Sequence, residues 1–141
     1  MRQIASDIDF PILIEVWESS VRATHDFLPE EEINYLKPLI LNEYFKQVLI
    51  HKYVLNGQIV GFIGTSSDTI EMLFIDPNYI GQGIGRILTD FAVKDLNVKR
   101  VDVNEQNVQA MKFYEKLGFK VIGRSELDGQ AKPYPILHLS L

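Results

Sequence analysis

The stretch EMLFIDPNYIGQGIGR, from Glu71 to Arg86, decides the fold of this 141-residue chain. It begins with an apolar run that is typical of a β-strand, and Asp76-Pro77 ends that run. Three glycines then follow at every second position: Gly81, Gly83 and Gly85. In the segment after them, apolar residues recur at helical spacing. A strand, a glycine turn and a helix N-terminus in this order predict a site where unpaired main-chain N–H groups and the helix dipole meet an anion such as a phosphate.

The spacing of the glycines limits which phosphate-containing ligands this turn is expected to bind. It differs from G-x-G-x-x-G, so the dinucleotide fingerprint is absent, and no Lys-Ser or Lys-Thr pair follows to make a Walker A loop. Asp102 and Glu105 lie about twenty residues beyond the turn, but too little chain follows them for a doubly wound fold. The pattern favours a diphosphate bound without a metal, and a plain strand-to-helix connection is the alternative.

Composition predicts one ordinary globular domain spanning residues 1–141. The chain is 46% apolar and 23% charged, and it has no apolar run long enough to span a bilayer. It contains no cysteine and no visible signal peptide, so we expect a cytoplasmic protein. A net charge of −5 without a basic cluster argues against a nucleic-acid partner. The three histidines lack ligand spacing, and we expect no metal site.

The order of periodic segments predicts a mixed α/β fold. Helical spacing indicates a first helix from Asp7 to Ser20 and a second from Glu30, which Pro38 should bend or split. Asn56-Gly57 between two apolar runs predicts a β-hairpin. Strand patterns follow at 69–75 and 99–103, a helix at 107–117, and two closing strands at 119–126 and 134–141. Hairpins followed by alternating strands and helices predict one mixed sheet flanked by helices.

A second motif lies in NVQAMKFYEKLGF, from Asn107 to Phe119. Together with Ile80 to Arg86 it resembles the GNAT superfamily, the GCN5-related N-acetyltransferases. Two further stretches, SVRATHDFL at 20–28 and KPYP at 132–135, resemble the YjaB-type bacterial branch of that family. The resemblance spans most of the chain. It implies a mostly antiparallel sheet of six or seven strands with a splayed central pair, about four flanking helices, and acetyl-CoA-dependent transfer to an amine.

The resemblance also implies which residues bind acetyl-CoA. In the family, the glycine turn holds the pyrophosphate with main-chain amides, and the preceding strand contacts the pantetheine arm. The expected cofactor-binding residues are Leu73, Phe74, Ile75, Gly81, Gln82, Gly83, Ile84, Gly85, Arg86 and Asn107. Asn107 is also a suitable N-cap by itself. The chain departs from the family at Ile80, where Arg or Gln is usual, so one side-chain contact to the diphosphate is expected to be missing.

Tyr114 is the expected general acid. Asn107 and Tyr114 are seven residues apart, which on an α-helix leaves them about 20° from alignment and separated by roughly 10 Å of rise. Aminolysis of a thioester expels a thiolate whose conjugate thiol has a pKa of about 8.5, and a phenol with a pKa of about 10 can donate a proton to it. A lone tyrosine on an amphipathic helix is typical of the core, but Tyr114 matches the family's general acid.

Two residues are candidates for the base that takes a proton from the acceptor amine. Glu71 is the leading candidate, and on the strand it shares a face with Leu73 and Ile75. The acyl oxygen would accept an N–H group from this strand. His25 titrates in a suitable range, and its segment corresponds to the family's acceptor-binding wall. Each has an ordinary alternative, as an exposed strand carboxylate and an incidental loop histidine.

The acceptor itself is left open by the sequence. A small amine, a peptide or a protein lysine would satisfy the same chemistry, and either a monomer or a homodimer is expected. Aromatic and histidine side chains that would line the acceptor pocket, or else belong to the core, are Trp17, Phe27, Tyr134 and His138. No G-x-S-x-G motif or cysteine nucleophile is present, which favours direct transfer in a ternary complex. A catalytically silent acyl-CoA-binding module is the competing hypothesis.

Overall fold

Seven strands and four α-helices make up a computed structural model that describes all 141 residues. The strands are β1 (Arg2–Ile4), β2 (Leu49–Leu55), β3 (Gln58–Ser66), β4 (Thr69–Ile75), β5 (Arg100–Asn104), β6 (Lys120–Ser125) and β7 (Ile136–Ser140). The helices are α1 (Phe10–Thr24), α2 (Glu30–Asn42), α3 (Ile84–Asp95) and α4 (Val108–Lys116). The predicted mixed α/β class and the numbers of strands and helices are confirmed. Two units, residues 1–98 and 99–141, are described separately below.

The first unit contains an antiparallel sheet in the order β1-β2-β3-β4. The predicted hairpin joins β2 to β3, and Asn56 and Gly57 both have positive φ angles, of 52° and 78°. Two successive positive φ angles are the signature of the type I′ turn, which matches the twist of the flanking strands. The sequence did not predict β1, because three exposed residues carry no periodic signal.

Helices cover both faces of this sheet. A buried cluster joins α1 and α2 to Phe62 of β3, with Leu13 and Phe62 fully buried. The neighbouring Gly61 faces the other side, where a side chain added to it would lie 3.5 Å from Ile84 of α3. Because successive strand residues alternate between faces, α1 and α2 cover one face and α3 covers the other.

The two N-terminal helices differ in detail from the predictions. Helix α1 continues beyond Ser20, and Val21 in its last turns is buried. Helix α2 is not split at Pro38, which lies inside it. A proline in this position removes one main-chain hydrogen bond, so the packing of the helix outweighs that loss.

The second unit is an antiparallel sheet in the order β5-β7-β6, with α4 between β5 and β6 in the chain. Strand β5 alternates strictly, because Val101 and Val103 are buried and Asp102 between them is exposed. Helix α4 begins at the predicted Asn107 cap and ends before Gly118, whose φ angle of 98° suits glycine.

Candidate active site

The glycine turn after β4 is held in a conformation that requires glycine. Gly81 and Gly83 have φ angles of 88° and 80°, in the left-handed region that other residues rarely adopt. The Asp76 carboxylate accepts a hydrogen bond of 2.9 Å from the Asn78 N–H group and shapes the start of the turn. A Cβ atom added at Gly81 or Gly83 would have nothing within 4 Å. The main chain of the turn therefore lies beside open space.

Helix α3 begins with an N-terminus that no side chain satisfies. Its N-cap is Gly83, no side chain accepts a hydrogen bond at the cap, and the first turn holds no acidic residue. The first N–H groups of a helix have no partner within it, and they carry the positive end of the helix dipole. This arrangement fits the predicted anion site, which would use the N–H groups of residues 81–86.

Side chains at the border of this turn leave it accessible. Ile80 is 56% exposed, and its aliphatic side chain offers no hydrogen bond to an anion. The exposed Arg86 side chain lies 3.7 Å from the Asp90 carboxylate one turn later. Such an exposed pair is weak, so the Arg86 guanidinium can turn toward an anion at little cost.

Strand β4 has a register shift at Glu71. Gly64 of β3 pairs with Met72 and the next residue, Thr65, pairs with Ile70, so Glu71 is the extra residue. A β-bulge of this kind interrupts strict alternation and changes the direction of side chains. Glu71 and Met72 consequently line the same cavity, of about 350 Å³, together with Tyr44, Gln47, Val48 and Ser66.

His25 lies at the end of α1 against aromatic side chains. Its ring centroid lies 5.4 Å from that of Phe27 and 6.5 Å from that of Phe74 on β4. The Thr24 hydroxyl donates to the Ser20 carbonyl oxygen at 2.7 Å, so its oxygen accepts from Nδ1–H of His25 at 2.8 Å. That tautomer leaves the lone pair on Nε2. Burial lowers the pKa of His25, against the opposing charge of Asp26, and so favours the neutral imidazole, which can act as a base.

Tyr114 is buried in α4, between aromatic neighbours of its own unit. Its ring makes edge contacts with Phe113 and Phe119, at centroid distances of 5.0 and 5.5 Å. Burial raises the pKa of the Tyr114 phenol well above its ordinary value. The phenol therefore stays protonated across the neutral and moderately alkaline range, as a hydrogen-bond donor must.

Asn107 acts as the predicted N-cap of α4. Its side-chain oxygen accepts a hydrogen bond of 3.1 Å from the Ala110 N–H group, and its main-chain oxygen accepts one from Met111. Its cofactor contact stays a prediction.

The four candidate acceptor residues fall into different surroundings. Trp17 is a core side chain, only 3% exposed. Phe27 contacts the ring of His25, while His138 hydrogen-bonds to Asp102 and Ser125. Tyr134 donates its main-chain N–H group to the Lys132 carbonyl oxygen. Trp17 is therefore a core residue and does not line an acceptor pocket.

Several residues near these groups were missed by sequence reasoning. Thr24 directly precedes His25 in the sequence, so its hydroxyl could have been recognised there as a hydrogen-bond partner for the imidazole. Tyr44 and Ser66 reach the Glu71 cavity only through folding, so the sequence carries no signal for them. A larger cavity of about 610 Å³ contains the ion pair of Asp9 and Lys52, but no predicted site residue lines it. None of the helices is long and apolar enough to cross a membrane.

Comparison with known proteins gives consistent results. The family model described as "Acetyltransferase (GNAT) domain" matches residues 22–130. A relative named "Peptidyl-lysine N-acetyltransferase YjaB", from Escherichia coli, is 43% identical over 91% of this chain and 87% of its own. Its namesake in Salmonella typhimurium is 42% identical over 90% and 88%.

Solved structures agree with these matches. The solution structure of apo-form YjaB from Escherichia coli has a TM-score of 0.87 at 39% identity, covering 99% of this chain and 95% of that one. The PaiA N-acetyltransferase of Thermoplasma acidophilum, solved with coenzyme A, has a TM-score of 0.75 over 100% and 99% of the chains. At 22% identity, that second likeness concerns the fold alone.

Proposed function

The chain belongs to the GNAT acetyltransferase family and is an acetyl-CoA-dependent N-acetyltransferase, and from that premise we propose that its acceptor is a lysine side chain of a protein or peptide. The observation that carries this proposal is the 43% identity, over 91% of the chain, to a relative named peptidyl-lysine N-acetyltransferase. The carboxylate of Glu71 in its cavity supports the proposal, because a lysine arrives as an ammonium ion. A cytoplasmic location and a monomeric or homodimeric state remain predictions.

We propose that the main chain supplies most of the cofactor contacts. The N–H groups of residues 81–86 suit the diphosphate of acetyl-CoA, since the cap of α3 is glycine and the space beside it is open. Leu73, Phe74 and Ile75 would follow the pantetheine arm along β4. The acyl oxygen would accept an N–H group from this strand. Acetyl-CoA supplies the activated acyl thioester.

We propose His25 as the first candidate for the base and Glu71 as the second. The tautomer fixed by Thr24 leaves the proton-accepting lone pair on Nε2 of His25, and burial keeps this imidazole neutral near pH 7. Glu71 is exposed beside a cavity, which suits attraction and orientation of the ammonium form of the acceptor. Either group can remove the proton directly or through a water molecule.

The proposed role of Tyr114 is to stabilise the departing thiolate by a hydrogen bond. A thiol has an ordinary pKa of about 8.5, and the pKa of the buried phenol lies above about 10, so complete proton transfer from Tyr114 is uphill. A hydrogen bond that strengthens as charge develops on sulfur needs no complete transfer. The raised pKa therefore favours a donor that keeps its proton through most of the reaction.

Acetylation of matched acceptors tests the lysine proposal. The assay compares a peptide that has one lysine and a blocked N-terminus with the same peptide carrying arginine there, and with a free polyamine. Mass spectrometry should locate the acetyl group on the lysine, and the arginine peptide should stay unmodified. We expect kcat/KM for the lysine peptide to exceed that for the polyamine at least tenfold. The reverse preference would assign the enzyme to small amines.

Absence of turnover has a separate meaning. Coenzyme A binding by calorimetry, combined with no turnover on any acceptor, would support the silent acyl-CoA-binding module instead. A reaction without protein provides the background, because acetyl-CoA acetylates amines slowly by itself.

A further inference from the structure

Three polar side chains form a continuous hydrogen-bonded line on the sheet of residues 99–141. The Ser125 Oγ atom lies 2.7 Å from Nε2 of His138, and Nδ1 of His138 lies 2.7 Å from Oδ1 of Asp102. Both distances are within the range of good hydrogen bonds. The same sequence of hydroxyl, imidazole and carboxylate activates the nucleophile in serine hydrolases on several unrelated folds.

The strand register brings the three residues together. Asp102 of β5 pairs with His138 of β7, and His138 also pairs with Gly123 of β6. Gly123 has no side chain, and a Cβ atom there would lie 3.6 Å from the imidazole. Ser125 lies two residues farther along β6, so its side chain points to the same face as Gly123. The imidazole therefore extends along β6 as far as the Ser125 hydroxyl.

The hydrogen-bond partners determine where the protons are. The Asp102 carboxylate accepts, which requires the proton of neutral His138 to be on Nδ1. Nε2 then carries the lone pair and accepts the Ser125 proton. This is the tautomer in which an imidazole can act as a base toward a serine.

We propose that Ser125 is an activated nucleophile that accepts a short acyl group from an activated ester, in a reaction separate from acetyl transfer to amines. Ser125 Oγ forms a bond to the ester carbonyl carbon, and its proton passes to Nε2 of His138. The bond from that carbon to the leaving oxygen breaks and releases an alkoxide or phenolate, while the imidazolium returns its proton to solvent. Asp102 is a positioning residue, since it holds the imidazole in the required tautomer.

Solvent access supports a chemical role over a purely structural one. The His138 and Asp102 side chains are 35% and 55% exposed, and Ser125 is half-buried. Hydrogen bonds and ion pairs at such exposure contribute little to stability. A small ester can reach the serine from solvent. The line supplies the nucleophile and the base, so the expected product is an acyl-serine formed once per chain and hydrolysed slowly.

Labelling with p-nitrophenyl acetate in the absence of acetyl-CoA tests the proposal. We expect one acetyl group on Ser125 of the intact protein, located by peptide mass spectrometry, and a stoichiometric burst of p-nitrophenolate. S125A should abolish both, and H138Q should slow labelling about 100-fold, the low end of the usual effect of a general base. Ser140 lies in β7 and donates to the Leu141 carbonyl oxygen, so S140A should label like the wild type.

The outcomes separate this inference from loss of folding and from the acetyltransferase activity. S125A removes one hydroxyl, and it should retain the thermal midpoint and the transfer of acetyl groups from acetyl-CoA to amines. An unlabelled Ser125 in the wild type, or equal labelling rates in wild type and H138Q, would overturn the proposal.

The role of Asp102 has its own test. D102N should slow Ser125 labelling at least tenfold, whereas D102E should restore part of the rate because it again offers a carboxylate to Nδ1. If the role of Asp102 were purely structural, the labelling rates of the two variants would not differ in this order while their thermal midpoints stayed unchanged. Equal labelling rates for the two variants would exclude the positioning role.

Discussion

Helices α3 and α4 both begin shortly after a strand, yet their N-termini are built differently. The N-cap of α3 is Gly83, which offers no side chain, whereas Asn107 caps α4 with its own side-chain oxygen. The N–H groups at the start of α4 are thus partly satisfied within the chain, while those of α3 need water or a ligand. An anion such as a diphosphate is expected at α3, whereas the contribution expected from α4 is the side chain of Tyr114, as a hydrogen-bond donor in catalysis.

Substitution of the α3 cap should have the largest effect. Gly83→Leu puts a side chain into the open space beside the turn, and we expect coenzyme A affinity to fall at least 100-fold, about 2.8 kcal/mol. Calorimetric titration measures it. Gly57→Leu is the matched control, because Gly57 has a φ angle of 78° and equally open surroundings, but lies in a hairpin. Equal affinities for the two variants would contradict a diphosphate site at α3.

Removal of one hydroxyl from α4 is the complementary change. Tyr114→Phe keeps the ring contacts with Phe113 and Phe119, so the thermal midpoint should stay close to that of the wild type. We expect kcat to fall about 100-fold, the usual effect of removing one hydrogen-bond donor to a developing negative charge, with coenzyme A affinity unchanged. Tyr35→Phe, at an exposed position of α2, is the control. A kcat within threefold of the wild type would exclude Tyr114 as the donor.

Substitution of His25 tests whether catalysis also requires a side chain of the first unit, in addition to the main-chain N–H groups proposed to bind the cofactor. Because its pKa is lowered, activity that requires the neutral imidazole is present near pH 7 and declines only as the pH falls through a value below about 6.5. The pH profile of kcat/KM should show this acidic limb. His25→Asn should remove the limb and lower kcat/KM about tenfold or more at pH 7.5.

Glu71 provides the comparison for that experiment. Persistence of the acidic limb in His25→Asn, together with its loss in Glu71→Gln, would assign the base to Glu71. Coenzyme A affinity should be unchanged in both variants, since neither side chain is proposed to contact the diphosphate.

Local signals account for the parts of the fold that were predicted well. Strand β4 was predicted as 69–75 and spans Thr69–Ile75, and the Asn56-Gly57 turn and the Asn107 cap lie where the sequence indicated. Each depends on residues within a few positions of one another. The glycine turn belongs to the same class, because its conformation and its open N-cap follow from two nearby glycines, Gly81 and Gly83.

Features that depend on distant partners were not predicted. Strict alternation put Glu71 on the face of Leu73 and Ile75, whereas the bulge opposite Gly64 and Thr65 changes which side chains share a cavity. The register of β4 against β3 decides this, and a single strand pattern does not contain it. The line of Ser125, His138 and Asp102 arises in the same way, from three strands whose pairing only the fold defines.

Ile80 offers the smallest and most specific test of the comparison. Because the diphosphate is proposed to bind to main-chain N–H groups, one added side chain should raise the affinity for coenzyme A only modestly. Ile80→Arg should tighten coenzyme A binding about three- to tenfold through one charge-assisted hydrogen bond to the diphosphate. Ile80 is 56% exposed, and the substitution disturbs no core packing. The gain should shrink as salt is added, because exposed charges are screened.

Ile87 supplies the matched control for that gain. It is 44% exposed and lies one turn inside α3, away from the glycine turn in the chain, so Ile87→Arg adds the same charge without the same reach. Calorimetric titrations at two salt concentrations distinguish a specific contact from general attraction. Equal gains in the two variants would mean that net charge alone raises the affinity for coenzyme A. The absence of Arg or Gln at position 80 would then not specifically weaken coenzyme A binding.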